Sequence, residues 1–290
     1  MGRSVVVTDS TASLPADLAA SRRITVVPLQ VVIGAEVHDE GPGGGATPDA
    51  VAEALRRWDP VSTSRPGPAT FLEVYRELAA DGVESVVSVH LSGEMSGTFE
   101  SAQLAARESP IPVLPVDSRQ VGISTGYAVL AAADVLDAGG SLEEAGRAAR
   151  ERAAATASLF YVDTLEYLRR GGRIGAAAAL LGGALSVKPL LRIADGRIDS
   201  FEKVRTTGRA LARLEDLAVE AAGEQQVDVG VSHLANPERA GQLTERLAER
   251  LAANLSGRSI SCGELGAVLG AHVGPGMVAV SVAPRCGSDS

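Results

Sequence analysis

Residues 91–102 read Leu91-Ser92-Gly93-Glu94-Met95-Ser96-Gly97-Thr98-Phe99-Glu100-Ser101-Ala102 and carry four hydroxyl side chains and two glycines. They follow a strand-like apolar run at 83–89 and lead into a helix-like run ending near Arg107. At such a junction the free backbone N–H groups and the helix dipole point outward together, which suits an anion. Glycine lets the backbone approach a ligand closely, and hydroxyls add donors without a fixed charge. Three further segments carry similar chemistry. Asp9-Ser10-Thr11 directly follows the first strand; Thr63-Ser64-Arg65-Pro66-Gly67-Pro68 is a stiff turn with two hydroxyls and a cation; His272 precedes a Val273-Gly274-Pro275-Gly276 turn. Two hydroxyl-rich turns, a helix N-terminus and a histidine would together form a receptor for a carboxylate or a phosphate.

Catalytic alternatives fit the spacing less well. A hydrolase using Ser96 and His272 is the main rival, but a nucleophile elbow requires Gly-x-Ser-x-Gly and Glu94 occupies the first glycine position. Ser200-Phe201-Glu202-Lys203 spells Ser-x-x-Lys in a stretch expected to be a hairpin strand, not a helix start. Gly171-Gly172-Arg173-Ile174-Gly175 lacks the spacing of a phosphate loop. The four histidines (His38, His90, His233, His272) are scattered, with no i, i+4 pair, so neither a metal nor another cofactor is expected.

The elements that position these residues alternate in the first half. Strands are expected at 4–8, 24–33, 83–89 and 112–116. Helices are expected at 15–22, from Pro48 behind a Thr47 cap, at 68–80, after Ser96, from about Gly122, and from a Ser141-to-Glu144 capping box. This grammar implies βαβ units and a mainly parallel sheet with flanking helices, whose ligands bind beyond the carboxyl ends of the strands. From residue 158 the grammar changes. Runs at 187–193 and 197–205 flank Asp195-Gly196, a strong hairpin signal, followed by a helix from Thr207, a strand at 227–233, a helix at 237–254 and a last strand at 277–282. The expected fold is therefore α/β in two domains, 1–157 and an α+β domain at 158–290 with an antiparallel hairpin, and the ligand between them.

At 290 residues with 45% hydrophobic but only 3% aromatic residues, the core must be built from Ala, Val and Leu. A net charge of −9 argues against nucleic-acid binding. Nine basic residues nevertheless fall between Arg169 and Arg209, against three acidic ones, which marks a candidate docking face. Cys262 and Cys286 make no disulfide framework, and Cys286 falls in an expected frayed tail. The small-apolar run at 174–187 is too short and glycine-interrupted to span a bilayer. A cytoplasmic protein without stable membrane insertion is expected. Residues 175–183 are a candidate lining for an apolar tunnel.

Several of these segments, in this order, resemble the DegV family. They are Thr8-Asp9-Ser10-Thr11-Ala12-Ser13-Leu14, Val27-Pro28-Leu29, Thr63-Ser64-Arg65-Pro66, residues 91–102, Asp117-Ser118, the stretch from Leu165 through Arg169, Arg170 and Arg173 to Ile174, Lys188-Pro189, and His272 to Gly276. The resemblance covers nearly the whole chain. It implies a non-catalytic acyl-binding subunit holding one long-chain fatty acid between its domains. A separate ATP-dependent fatty acid kinase would phosphorylate the carboxylate, supplying acyl phosphate to phospholipid synthesis. Carried over by motif, the carboxylate ligands are Thr63, Ser96, Gly97 and His272. Ser64, Arg169, Arg170 and Arg173 are implied at the mouth or the partner contact. The chain departs from the family pattern at Arg65, where glutamine is usual, at Met95, and in the glycine-rich loop 41–46 beside His38 and Asp39.

Overall fold

Consecutive valines dictate the first element. In the computed structural model, which describes residues 3–41, 43–180 and 188–285, Val5, Val6 and Val7 are buried in β1 (Ser4–Asp9). The chain continues through α1 (Ala16–Ser21), β2 (Thr25–Val27), β3 (Gln30–Ile33), β4 (Glu36–Glu40), β5 (Gly45–Ala46), α2 (Pro48–Arg56) and β6 (Val61–Ser64). Then come α3 (Pro68–Ala80), β7 (Ser85–His90), α4 (Thr98–Ala106), β8 (Val113–Asp117), α5 (Ile123–Asp137) and α6 (Leu142–Ala155). The later part comprises β9 (Ala157–Tyr161), α7 (Glu166–Arg170), β10 (Lys188–Ala194), β11 (Arg197–Val204), α8 (Thr207–Ala222) and β12 (Val227–His233). It closes with α9 (Pro237–Arg250), α10 (Ala252–Leu255), β13 (Ser261–Glu264), α11 (Ala267–Val273) and β14 (Val278–Pro284).

Three sheets result. The first is parallel, in the order β2-β1-β7-β8. The second, β11-β10-β9-β14-β12-β13, is antiparallel except for the β12–β13 pair. The third, β5-β4-β3-β6, is antiparallel apart from its short β4–β5 edge. The mixed α/β class read from the sequence is thus the observed one: parallel in the N-terminal part, antiparallel in the C-terminal part.

Alanine-rich helices let the layers approach closely. Ala128, Ala132 and Ala133 of α5 and Ala145, Ala149 and Ala153 of α6 cover one face of the parallel sheet, against Val6, Val87 and Val89. Phe71 and Tyr75 of α3, with Ala102 and Ala105 of α4, cover the other face. Local signals hold as read. Thr47 caps α2 by accepting from the Ala50 N–H at 3.2 Å, and Ser141 forms its capping box with Glu144. Asp195 and Gly196 both take positive φ (50° and 78°), the primed-turn form that matches strand twist.

Two expectations differ from the structure. The single strand expected at 24–33 is two strands, β2 in the parallel sheet and β3 in the third sheet. Pro28 lies between them, and without an N–H it cannot continue a ladder. The helix expected at 237–254 is interrupted at Leu251. Cys286 and Pro42 lie outside the described residues. Among the described residues no helix is long and apolar enough to cross a membrane.

Candidate functional site

The third sheet joins segments far apart in the chain. Leu29 and Val31 pack with Val51 and Leu55 of α2 and with Ala267, Val268 and Ala271 of α11. Glu40 reinforces this seam: its Oε1 accepts from the Val268 N–H at 2.8 Å, while its Oε2 has no partner among the described residues. Burial pushes the Glu40 carboxyl above its ordinary value. The seam places α11 beside the edge strand β6, so that Thr63 Oγ1 lies 2.9 Å from His272 Nε2 across 209 positions of sequence.

His272 is held as a neutral ring. Burial, with the nearby Arg173 charge, lowers its pKa from 6.5 to about 4. A methyl group at Gly171 would meet His272 Nδ1 at 2.3 Å, so the C-terminus of α7 is pressed against that side of the ring. Nε2 therefore makes the polar contact. When Nε2 carries the proton and donates to Thr63 Oγ1, the Thr63 hydroxyl proton is free to point at an anion.

The loop between β7 and α4 forms the facing wall, and its hydroxyls divide into two kinds. Ser92 is fully buried, donating from its hydroxyl to the Gly196 carbonyl at 2.7 Å and from its N–H to the Gln120 carbonyl at 2.9 Å. Thr98 and Ser101 are also buried. Ser96 instead lines the cavity; its Oγ lies 2.9 Å from Thr98 Oγ1 and accepts from the Thr98 N–H at 3.3 Å. A Cβ at Gly97 would lie 1.2 Å from Arg65 Nη1, so any side chain there would push the Arg65 guanidinium aside. Arg65 is half exposed and also pairs with Glu100 at 3.6 Å.

Thr63, Ser64, Ser96, Gly97, Arg173 and His272 all border one cavity of about 430 Å³. Its remaining wall is largely apolar, including Leu29, Leu91, Met95, Phe160, Ile193, Ile198, Leu265 and Leu269. Arg173 sits at the exposed rim and donates to the Met95 carbonyl at 3.3 Å. Arg169 and Arg170 do not line this cavity. Arg169 pairs with Glu166 at 2.8 Å, and Arg170 stacks over the exposed Trp58 ring at 5.4 Å from its centroid. Arg170 borders a smaller cavity of about 150 Å³ that shares Thr63, Arg173 and His272 with the first. Residues 175–180, expected as tunnel lining, border neither cavity, and 181–183 lie outside the described residues.

The geometry gives Ser96 no base, since His272 contacts Thr63 instead. A Ser–His–Asp series does occur elsewhere: Ser88 Oγ lies 2.8 Å from His90 Nε2, and His90 Nδ1 lies 2.9 Å from Asp9 Oδ2. All three are fully buried, and Tyr75 contacts the same Ser88 oxygen at 2.9 Å, so no substrate reaches it. Asp9 also accepts from the Leu91 N–H at 3.1 Å, which anchors the Ser96 loop. Among the described residues no group of three or more His, Cys, Asp or Glu side chains is placed to hold a metal. Sequence reasoning missed Glu40 and the cavity serines Ser158, Ser232 and Ser281. No local signal marks Glu40; the serines stand at alternate strand positions opposite core residues, a pattern visible only once register is known.

This is an α/β protein with a largely apolar cavity whose lining also carries hydroxyls, a neutral histidine and the guanidinium groups of Arg65 and Arg173. The chain belongs to the DegV family: the model of that family, described as an uncharacterised protein family, matches residues 3–285. A DegV domain-containing protein of Streptomyces coelicolor is 50% identical over 286 residues, covering 98% of this chain and all of the relative. The structure resembles a DegV family protein from Thermus thermophilus described by its fatty acid binding (TM-score 0.88, 32% identity, 98% of this chain and 100% of that one). It equally resembles Bacillus subtilis DegV, described as a fatty acid binding protein (TM-score 0.89, 31% identity, the same coverage).

Proposed function

We propose that this protein is a cytoplasmic, non-catalytic carrier of one long-chain fatty acid, held between an N-terminal domain (1–157) and a C-terminal domain (158–290). The observation that supports the reading best is a largely apolar cavity of about 430 Å³ whose lining includes Thr63, Ser96, Gly97 and His272, with Thr63 and His272 in contact at 2.9 Å. That volume lies within the roughly 300–1,000 Å³ of small-molecule sites. Each methylene removed from water contributes about 0.8 kcal/mol, so an acyl chain supplies most of the affinity before ordering costs. The carboxylate would accept from the Thr63 and Ser96 hydroxyls and the Gly97 N–H, with His272 holding Thr63 in its donating orientation. Charge-assisted hydrogen bonds to neutral donors hold the anion without a buried ion pair, leaving it free to react. The fatty acid would be presented to an ATP-dependent fatty acid kinase, and the product acyl phosphate would enter phospholipid synthesis. Arg173 at the rim, with Ser64, Arg169 and Arg170 nearby, would face that partner.

Native mass spectrometry of the purified protein, followed by denaturation and identification of the released acid, tests the reading. A bound long-chain acid is expected. An empty protein that gains no thermal stability from saturated or unsaturated acids overturns it. For the kinase step, Arg173→Glu is expected to lower acyl-phosphate formation more than acid binding; the reverse pattern removes the docking role.

A further inference from the structure

The wall of the cavity changes character along its length. Met277 lies on the turn that follows His272, and β14 runs from there to Ser281, four residues and about 13 Å further on. Ser281 pairs in register with Ser158 of β9, and one row nearer the turn Ser232 of β12 pairs with Ala279. All three serines line the cavity, on the sheet face opposite the Val229, Val231, Val280 and Val282 core. The N-terminus of α5 closes this end: Ser124, fully buried, has its Oγ 2.6 Å from Ser158 Oγ and 2.8 Å from Ser281 Oγ. Ser158 donates onward to Gln120 Oε1 at 2.7 Å, and Gln120 is fixed by the Ala153 and Thr156 carbonyls.

We propose that this inner end is a hydroxyl-recognition subsite, and that the ligand it takes is a fatty acid carrying a hydroxyl on the distal half of its chain. The inference rests on the acyl-binding reading above and specifies its substrate class. Docking α5 on the sheet explains Ser124, Ser158 and Ser281, which contact one another. It does not explain Ser232, which lines the cavity, is only part-buried and makes no side-chain hydrogen bond among the described residues. Against a plain hydrocarbon tail that hydroxyl would be desolvated without compensation, which is unfavourable. A tail hydroxyl would pair with Ser232 and reach the unused lone pairs of the Ser158–Ser281 pair, exchanging its bonds to water for bonds to the protein.

The test compares delipidated protein binding hexadecanoic acid and ω-hydroxyhexadecanoic acid, with a mid-chain hydroxyoctadecanoic acid against octadecanoic acid as the second pair. In an all-apolar tunnel the added hydroxyl weakens binding about ten- to hundredfold. The subsite predicts that at least one hydroxylated acid binds as tightly as its parent or several-fold more tightly. Ser232→Ala is expected to shift that ratio about tenfold towards the parent acid. If both parents bind and every hydroxylated acid is tenfold weaker or worse, the subsite is overturned while the acyl-binding reading stands. An unaltered ratio in Ser232→Ala likewise overturns it. If no acid binds, both fail together.

Discussion

Replacing Thr63 by valine isolates the polar end of the cavity. Valine keeps the shape of the side chain and suits the edge strand β6, so the fold should survive with a stability change near 1 kcal/mol or less. In the protein without ligand, the substitution removes the 2.9 Å contact with His272 Nε2. That loss is present with and without ligand, so it largely cancels from the dissociation constant. What remains is the proposed hydrogen bond from the hydroxyl to the carboxylate, about 1.5–3 kcal/mol for a bond to a charged group. Kd for hexadecanoic acid should therefore rise about ten- to hundredfold. The assay is isothermal titration of delipidated protein, with hexadecanol as a second ligand of equal chain length and no charge. Its affinity should change far less, because a neutral hydroxyl gains little from the lost donor. Equal losses for acid and alcohol, or an unchanged Kd for the acid, would refute Thr63 as a carboxylate ligand.

Titration of His272 gives a second expectation. Burial lowers its pKa from 6.5 to about 4, so the folded protein binds fewer protons than the unfolded chain in that window. Stability contributed by the neutral ring is full above pH 6.5 and is lost as pH falls towards 4, by at most about 3 kcal/mol. Denaturant midpoints of wild type and His272→Gln across this window should differ in slope; parallel profiles would contradict the assignment. A bound carboxylate raises the pKa of His272, so acid-saturated protein should lose less stability over the same range. Gly97→Ala should leave the thermal midpoint nearly unchanged yet weaken acid binding, because the new methyl displaces the Arg65 guanidinium. Combining it with Arg65→Ala should restore affinity; a failure of the pair to recover would show that the clash lies elsewhere. Asp9→Ala strips partners from His90 Nδ1 and the Leu91 N–H in a dry interior and should destabilise by about 3–5 kcal/mol in urea unfolding. A loss under 1 kcal/mol would mean that the network does not anchor the Ser96 loop.

The local grammar of the chain was legible because it depends on neighbours in sequence. Caps at Thr47 and Ser141, the Asp195-Gly196 turn and the valine runs each fix their own segment through period or backbone conformation, and each element stands where the sequence places it. Strands β4, β6 and β13 were not legible. Short and largely exposed, they show no periodicity of their own and are strands only because a partner supplies their ladder. Pro28 shows the same limit from the other side: the apolar run through it reads as one strand, yet the missing N–H sends its halves to different sheets.

The candidate site divides along the same line. Residue types nominated the hydroxyl-rich turns at 63–64 and 92–101 and the histidine His272, because their chemistry needs no coordinates, and the resemblance to the DegV family narrowed them to Thr63, Ser96, Gly97 and His272. Composition likewise required an aromatic-poor core of alanine, valine and leucine. Tertiary structure brought Thr63 to His272 through the core that β3 and β6 share with α2 and α11, and it separated Ser96 from the buried Ser92, Thr98 and Ser101. It also took Arg169 and Arg170 away from the cavity and set Ser158, Ser232 and Ser281 on the sheet face that lines it. The reason is physical. A side chain's chemistry is carried by its own atoms, whereas its neighbours are set by strand register and by which distant apolar faces are buried together.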